Sequence, residues 1–169
     1  MDELLKFITI RKFMQNDIEN KIRWINNSEN NKFLHYDLPL EYNKTLMWFE
    51  KNKDNINRYD GIIEYCKTPV GLIGLLNIDY KNKKAEYYIT IGETNYKGKG
   101  IAYIASKKLI KFAFEELGLN KIYLYTEVEN IAAQKLFDRL GMEKEGMLKD
   151  DLIINGIKKD RYIYAIFNR

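Results

Sequence analysis

The sequence has little of the residues that build disulfides and metal centres. Cys66 is the single cysteine and His35 the single histidine among 169 residues. One cysteine cannot form an internal disulfide, and this pair is too small a set for a zinc site of the usual Cys/His kind. We therefore expect no metal centre. Cys66, within a strand-like run, is interpreted as a small core residue.

Long apolar runs and a strong net charge are also missing. No apolar run approaches the ~18 residues that a membrane span needs, and residues 1–6 lack the basic and apolar regions of a signal peptide. The formal charge is +4, with lysines scattered and often beside acidic residues, which is typical of a solvated surface. These features predict a cytoplasmic protein that binds neither membrane nor nucleic acid, with room for a small anionic ligand.

The apolar periodicity predicts one mixed α+β domain over residues 1–169, mostly antiparallel in its first half. The tight turn of a terminal hairpin is expected at Asn155-Gly156, a helix cap at Asp17, and turns at 26–31 and 67–69. The predicted strands are 5–11, 59–65, 70–80, 85–91, 121–128, 142–154 and 157–166, and the predicted helices are 17–26, 41–51, 101–117 and 130–140.

A loop with two glycines follows the fourth predicted strand and precedes a helix. Gly98 and Gly100 let bare backbone approach a ligand, and the first helical turn leaves N–H groups unpaired at the positive end of the helix dipole. A phosphate or pyrophosphate would satisfy them, and Lys97 and Lys99 add suitable charge. Tyr103 stands where a dinucleotide-binding loop would have a third glycine. An anion-binding loop and a polar strand-to-helix turn both remain open.

Two segments in order carry a resemblance to a known family. They are Tyr-Lys-Gly-Lys-Gly-Ile-Ala at 96–102 and Glu-Val-Glu-Asn-Ile-Ala-Ala-Gln-Lys-Leu-Phe-Asp-Arg-Leu-Gly-Met at 127–142. Together they resemble the GCN5-related N-acetyltransferases, over nearly the whole chain. Residues 145–160 are similar to the branch that contains ribosomal-protein and nucleotide-sugar acetyltransferases. The implied fold is a central, mostly antiparallel twisted sheet, flanked by helices and splayed at the acetyl-CoA site.

The resemblance implies acetyl-CoA as the acetyl donor. Ile89 and Ile91 are implied to offer backbone groups to its pantetheine arm, and Asn130 to hydrogen-bond the same arm. The alternative for Asn130 is a residue that satisfies the backbone at a helix N-terminus. Asn95 departs from the Arg or Gln that opens the family's loop motif, which should weaken side-chain anchoring more than pyrophosphate binding. The residues implied to hold the pyrophosphate are Lys97, Gly98, Lys99, Gly100, Ile101 and Ala102.

Related enzymes transfer the acetyl group directly to an amine, without an acyl-enzyme. The amine must be neutral when it attacks, and Glu86 stands where such enzymes often place a carboxylate. We predict Glu86 as the base, directly or through water, against the alternative of a solvated residue paired with Lys83 or Lys84. The usual acid, a tyrosine seven positions after the helix asparagine, is replaced by Phe137, which cannot donate a proton. Substitutes for that acid are Tyr103, Tyr125, Tyr164 or solvent.

The acceptor is open to several interpretations. Residues 22–27, 41–49 and 98–100 are similar to N-acetyltransferases that act on UDP-linked amino sugars, which makes such a sugar the favoured acceptor. Alternatives are a protein N-terminus, a polyamine or an aminoglycoside and, from another class, an acyl-CoA-binding module without turnover. A monomer or homodimer is expected. The residues expected to form the acceptor pocket are Trp24, Asn26, His35, Tyr36 and Trp48.

Overall fold

Apolar residues at alternating positions form the strands, and apolar residues three or four apart form the helices. The computed structural model describes residues 6–169. Its strands are β1 (Ile8–Lys12), β2 (Tyr59–Tyr65), β3 (Thr68–Asp79), β4 (Lys84–Ile91), β5 (Lys121–Glu127), β6 (Glu143–Ile154) and β7 (Ile157–Phe167). Its helices are α1 (Ile18–Asn26), α2 (Ser28–Asn31), α3 (Tyr42–Asn52), α4 (Ile101–Glu115) and α5 (Ile131–Arg139).

The strands form one seven-stranded sheet in the order β1-β2-β3-β4-β5-β7-β6. Neighbouring strands are antiparallel except β4 and β5, which are parallel and pair only from Lys84–Lys121 to Glu86–Tyr123. Beyond that register the two strands separate. We call the space between residues 87–91 of β4 and 124–127 of β5 the fork. The expected mostly antiparallel sheet, splayed at one point, is confirmed.

Helices cover both faces of the sheet because side chains alternate along each strand. Ile63 and Ile73 are buried in the cluster that contains α4 residues such as Leu109. Their sequence neighbours Ile62 and Leu72 are buried in a second cluster with residues of α1. The fork therefore opens between two well-packed layers, and its walls are fixed by cores on both sides.

The first strand begins later than predicted. β1 starts at Ile8, and Lys6 and Phe7 are helical rather than extended. Leu5, the first residue of the predicted strand, lies outside the described residues. The alternation that predicted the strand is correct from Ile8 onward, where β1 pairs with β2.

Two N-terminal turn and cap predictions are wrong. The segment 26–31 contains α2, because the Asn27 side chain accepts a hydrogen bond from the Glu29 N–H and so caps a short helix. Asp17 does not cap α1 with its side chain. Its carboxylate accepts hydrogen bonds from an upstream backbone N–H and from both terminal nitrogens of Arg11.

Cys66 is not a core residue. It is exposed and forms the turn between β2 and β3 with Lys67, both at positive φ (50° and 66°). The turn is thus earlier than the predicted 67–69, and Thr68 and Pro69 join β3. The later elements agree closely with prediction, including the Asn155-Gly156 turn, where both residues have positive φ.

Gly92, just after β4, permits close contact with the core. A Cβ added at Gly92 would lie 2.1 Å from the Trp24 ring, whereas one at Gly146 would meet nothing closer than 3.9 Å. We expect Gly92→Ala to lower the free energy of unfolding by about 2–3 kcal/mol, because the rigid indole must move. Urea denaturation measures this, with Gly146→Ala as the matched control. Equal effects of the two changes would contradict the packing described.

Candidate active site

The glycine loop before α4 has the geometry of an anion cradle. Gly98 and Gly100 have φ of +72° and +80°, and no described atom lies within 4 Å of a Cβ built at either position. The Lys97 ammonium binds Asn30 and the Glu29 carbonyl, which ties the loop to α2. The Lys99 ammonium lies 5.5 Å from the Tyr96 ring centroid. Open backbone therefore faces outward where α4 begins.

A cavity of about 320 Å³ lies at the fork. Side chains alternate along strands, so every second residue of β4 and β5 faces away from the core beneath α4. At the fork these residues are Glu86, Tyr88, Tyr125 and Glu127. The loop after α2 forms another part of the wall. Of the predicted site residues, those that line this cavity are Glu86, Ile89, Asn130, His35 and Tyr36.

Asp60 organises one wall of the cavity. Its carboxylate accepts hydrogen bonds from the Tyr88 hydroxyl at 2.6 Å and from Arg58 at 2.7 and 2.9 Å. Burial, followed by the charge of Asp60, raises the pKa of Tyr88 well above its ordinary value. Tyr88 is thus a neutral donor, and the Asp60 carboxylate is satisfied within the protein.

Lys21 is a buried lysine held by aromatic rings. It is 6% exposed, and its ammonium lies 3.2 Å from the Trp48 ring centroid and 5.6 Å from that of Tyr36. Burial lowers the pKa of Lys21 to about 7, against the smaller raising effect of Asp60. The side chain is therefore partly neutral near pH 7.

Replacing Lys21 with methionine is expected to stabilise the protein, more at pH 6 than at pH 9. The folded-state pKa is lowered to about 7 from 10.5, so the unfolded chain binds more protons between these values. Stability of the unmodified protein thus rises with pH in this window. The gain from Lys21→Met should be larger at pH 6 by up to about 2–3 kcal/mol, less any cation–π energy lost at Trp48. Denaturation at both pH values measures it; a pH-independent gain would contradict the lowered pKa.

Glu127, at the end of β5, is a cavity carboxylate that the sequence reasoning missed. Its side chain is 4% exposed, and its Oε1 is the single buried side-chain polar atom without a hydrogen bond among residues 6–169. His35 Nε2 lies 3.3 Å from that oxygen, but the two atoms are not in hydrogen-bonding geometry. The sequence signal was a glutamate in an alternating strand, shortly before Asn130.

Asn130 and Phe137 place α5 against the cavity. The Asn130 side chain accepts a hydrogen bond from the Ala133 N–H at 3.2 Å, so it serves as a helix cap while also lining the cavity. Phe137 is buried, with its ring centroid 6.4 Å from that of Tyr87 and 5.5 Å from that of Tyr164. Contact of Asn130 with pantetheine stays a prediction.

The three candidate tyrosine acids occupy different environments. Tyr125 lines the cavity. Tyr164 is 1% exposed, packed in the core, and Tyr103 faces the Arg139 guanidinium, 4.2 Å from its ring centroid. Of the three, Tyr125 is the one that lines the fork cavity, and its role as the acid stays a prediction.

Several predicted acceptor residues lie elsewhere. Trp24 is 1% exposed, and its indole N–H donates to Glu93, which also accepts from Arg23. Asn26 makes two hydrogen bonds to the Leu40 backbone. Trp48 packs against Lys21 outside the fork cavity. These residues hold the N-terminal helices and their loop in place.

Residues 8–143 match the family model described as an acetyltransferase (GNAT) domain, and the chain belongs to this family of N-acetyltransferases. It is 34% identical over 130 residues to YdaF of Bacillus subtilis, a candidate ribosomal N-acetyltransferase, with 76% of this chain and 70% of YdaF covered. It is 30% identical over 164 residues to a spermidine N(1)-acetyltransferase of Vibrio cholerae, with 90% and 88% covered.

Solved structures support the same placement. The crystal structure of the Vibrio cholerae spermidine N-acetyltransferase in complex with CoA and spermine superposes with a TM-score of 0.89, at 26% identity over 96% of each chain. The open glycine loop before α4 fits the CoA pyrophosphate, because its cradle consists of backbone rather than side chains. The chain is thus an N-acetyltransferase that uses acetyl-CoA as co-substrate.

Two further features bear on the chemistry. No group of three or more His, Cys, Asp or Glu side chains in residues 6–169 is placed to hold a metal ion. In the same part of the chain, no helix is long and apolar enough to cross a membrane.

Proposed function

We propose that this enzyme acetylates a primary amine of a small, cationic aliphatic acceptor of the polyamine type, within the fork. The observation that carries the proposal is the buried carboxylate oxygen of Glu127, which lines the cavity without a hydrogen bond. A buried carboxylate oxygen without a hydrogen bond is costly, and an ammonium group of the acceptor would supply that bond.

The proposed reaction uses groups at the fork. The pyrophosphate of acetyl-CoA binds the loop before α4, and its pantetheine arm follows the β4 backbone at Ile89 and Ile91. Glu86 takes a proton from the acceptor ammonium, directly or through water. The amine nitrogen then attacks the thioester carbon to form the N–C bond, and the C–S bond breaks to release the CoA thiolate. The nitrogen loses its second proton to solvent, which leaves the neutral amide. Tyr125 or solvent supplies the proton that makes CoA thiol.

Charge in the cavity favours a cationic acceptor over a diphosphate. The cations Arg58 and Arg161 are occupied by Asp60 and Asp151, and Lys21 is partly neutral. Arg23, in the segment 22–27 that resembles the nucleotide-sugar enzymes, is paired with Glu93. Spermidine is named as the substrate of the Vibrio cholerae relative, which adds support for an aliphatic amine. The nucleotide-linked amino sugar is the alternative acceptor to be tested.

Thiol release from acetyl-CoA tests the proposal. The acceptors are spermidine, a UDP-linked amino sugar, a peptide with a free N-terminus and an aminoglycoside, each with purified full-length protein. Release is expected to be fastest with spermidine. Faster release with the UDP-linked sugar or the peptide would overturn the acceptor class. Intact acetyl-CoA binding with no release from any acceptor would favour a non-catalytic module. A cytoplasmic location and a monomer or homodimer stay predictions.

A further inference from the structure

The charged groups of the fork cavity are almost all paired within the protein. Asp60 accepts hydrogen bonds from Arg58 and Tyr88, and Glu86 Oε2 accepts one from the Asn77 amide at 3.1 Å. Glu127 differs, since its Oε1 is buried and has no hydrogen bond. The cavity thus has one buried carboxylate oxygen whose bonding capacity is left for a ligand.

The cations around Glu127 have other partners. Arg161, its register partner on β7, donates to Asp151 and stacks 4.6 Å from the Tyr125 ring centroid. Lys159, also on β7, binds the exposed carboxylate of Glu129 with hydrogen bonds of 2.8 and 3.0 Å. Rearrangement of either cation toward Glu127 would break a bond already formed.

His35 lies on the solvent side of the Glu127 carboxylate. Its Nε2 lies 3.3 Å from Glu127 Oε1, and its side chain is 39% exposed where that of Glu127 is 4% exposed. The imidazole therefore separates the carboxylate from solvent without satisfying it. An elongated acceptor in the cavity would end against this pair.

The register of the sheet gives the distance between the two cavity carboxylates. Glu86 is paired with Tyr123 at the base of the fork, and Glu127 follows Tyr123 along β5. Strands rise about 3.3 Å per residue, so Glu127 lies about 13 Å along the strand from the level of Glu86. An acceptor that reaches from one carboxylate to the other would therefore span on the order of 10 Å, which is about nine bonds of extended chain.

We propose that Glu127 binds a second cationic group of the acceptor, about nine bonds from the amine that reacts near Glu86, with His35 closing the site. This inference rests on the proposed function, which supplies the reacting amine. It adds that the enzyme selects its acceptor by length, because the second cation is recognised at a fixed distance from the acetyl group.

Two eight-carbon amines test the inference, 1,8-diaminooctane and 1-aminooctane, which differ only in the distal ammonium. The unmodified enzyme should show kcat/KM at least about 10-fold higher for the diamine, the expected effect of one charge-assisted hydrogen bond. Glu127→Gln should abolish this preference by raising KM for the diamine with kcat nearly unchanged. Glu143→Gln is the matched control: it removes a carboxylate of β6 that is 60% exposed and paired with Arg169, and it should keep the preference.

Calorimetric binding of 1,8-diaminooctane, in the presence of CoA, separates this inference from the proposed function. Binding weakened about 10-fold by Glu127→Gln and unaffected by Glu143→Gln supports the anchor, even if no amine is acetylated and the proposed function fails. Acetylation of both amines with equal kcat/KM, or diamine binding that is insensitive to Glu127→Gln, overturns the anchor, whereas acetylation of an aliphatic amine is decided separately by thiol release with spermidine. Matching thermal unfolding curves confirm that the variants are folded.

Discussion

Replacing Glu86 with glutamine is expected to lower kcat by about 100-fold or more at pH 7. Glu86 stands at the last paired position of β4 and β5 and lines the cavity, so its carboxylate is at the base of the fork. Glutamine keeps the size of the side chain and its bonding to Asn77, but cannot accept a proton. The loss should therefore fall on the chemical step, with KM little changed.

The pH dependence distinguishes a lost base from a disturbed structure. An aliphatic amine has a pKa of roughly 10, so more of it is already neutral as pH rises. The ratio of kcat for the unmodified enzyme to kcat for Glu86→Gln should shrink from pH 7 to pH 9. Glu143→Gln, which removes a carboxylate that is 60% exposed and paired with Arg169, should match the unmodified enzyme. A ratio that is constant with pH would remove Glu86 as base.

Gly98→Val is expected to weaken CoA binding by about 10- to 100-fold. Gly98 has φ of +72°, where a β-branched side chain is strained by about 1–3 kcal/mol. Its Cβ would meet no described atom within 4 Å, so the substitution should not disturb packing. The side chain would instead stand in the space proposed for the pyrophosphate, and the loop would relax away from the cradle geometry.

Gly118→Val is the matched control for this change. Gly118 follows the other end of the same helix, has φ of +65°, and likewise has no described atom near its Cβ. Both variants should lose similar stability in denaturation, but only Gly98→Val should lose CoA affinity by calorimetry. Equal CoA affinity in the two variants would contradict the placement of the pyrophosphate.

The glycine loop and the buried sides of β4 and β5 were predictable because local chemistry determines them. Gly98 and Gly100 mark the start of α4 by spacing alone, and the period of two in β4 and β5 assigns their buried sides. The parting of those strands, by contrast, was expected only through family resemblance. Its position at Glu86 depends on how far β4 and β5 remain in register, which no pattern in either strand reveals.

Glu127 could not be distinguished from a solvated strand glutamate in the sequence. The loop that carries His35, which is distant in the sequence, covers this carboxylate. Arg161, its neighbour on β7, donates its hydrogen bond to Asp151 instead. Trp24 is the opposite case, because it was expected to form the acceptor pocket but is buried in the core. Gly92, which has no side chain, leaves room there for the indole.

A single competition experiment decides between a polyamine and a nucleotide-linked sugar as the acceptor. Spermidine and a UDP-linked amino sugar are mixed at equal concentration with acetyl-CoA and the full-length enzyme, and both are analysed by mass spectrometry at early times. We expect spermidine to gain one acetyl group, the sugar to remain unchanged and CoA thiol to appear in an amount equal to acetylated spermidine. Acetylation of the sugar with spermidine unchanged would contradict a polyamine-type acceptor.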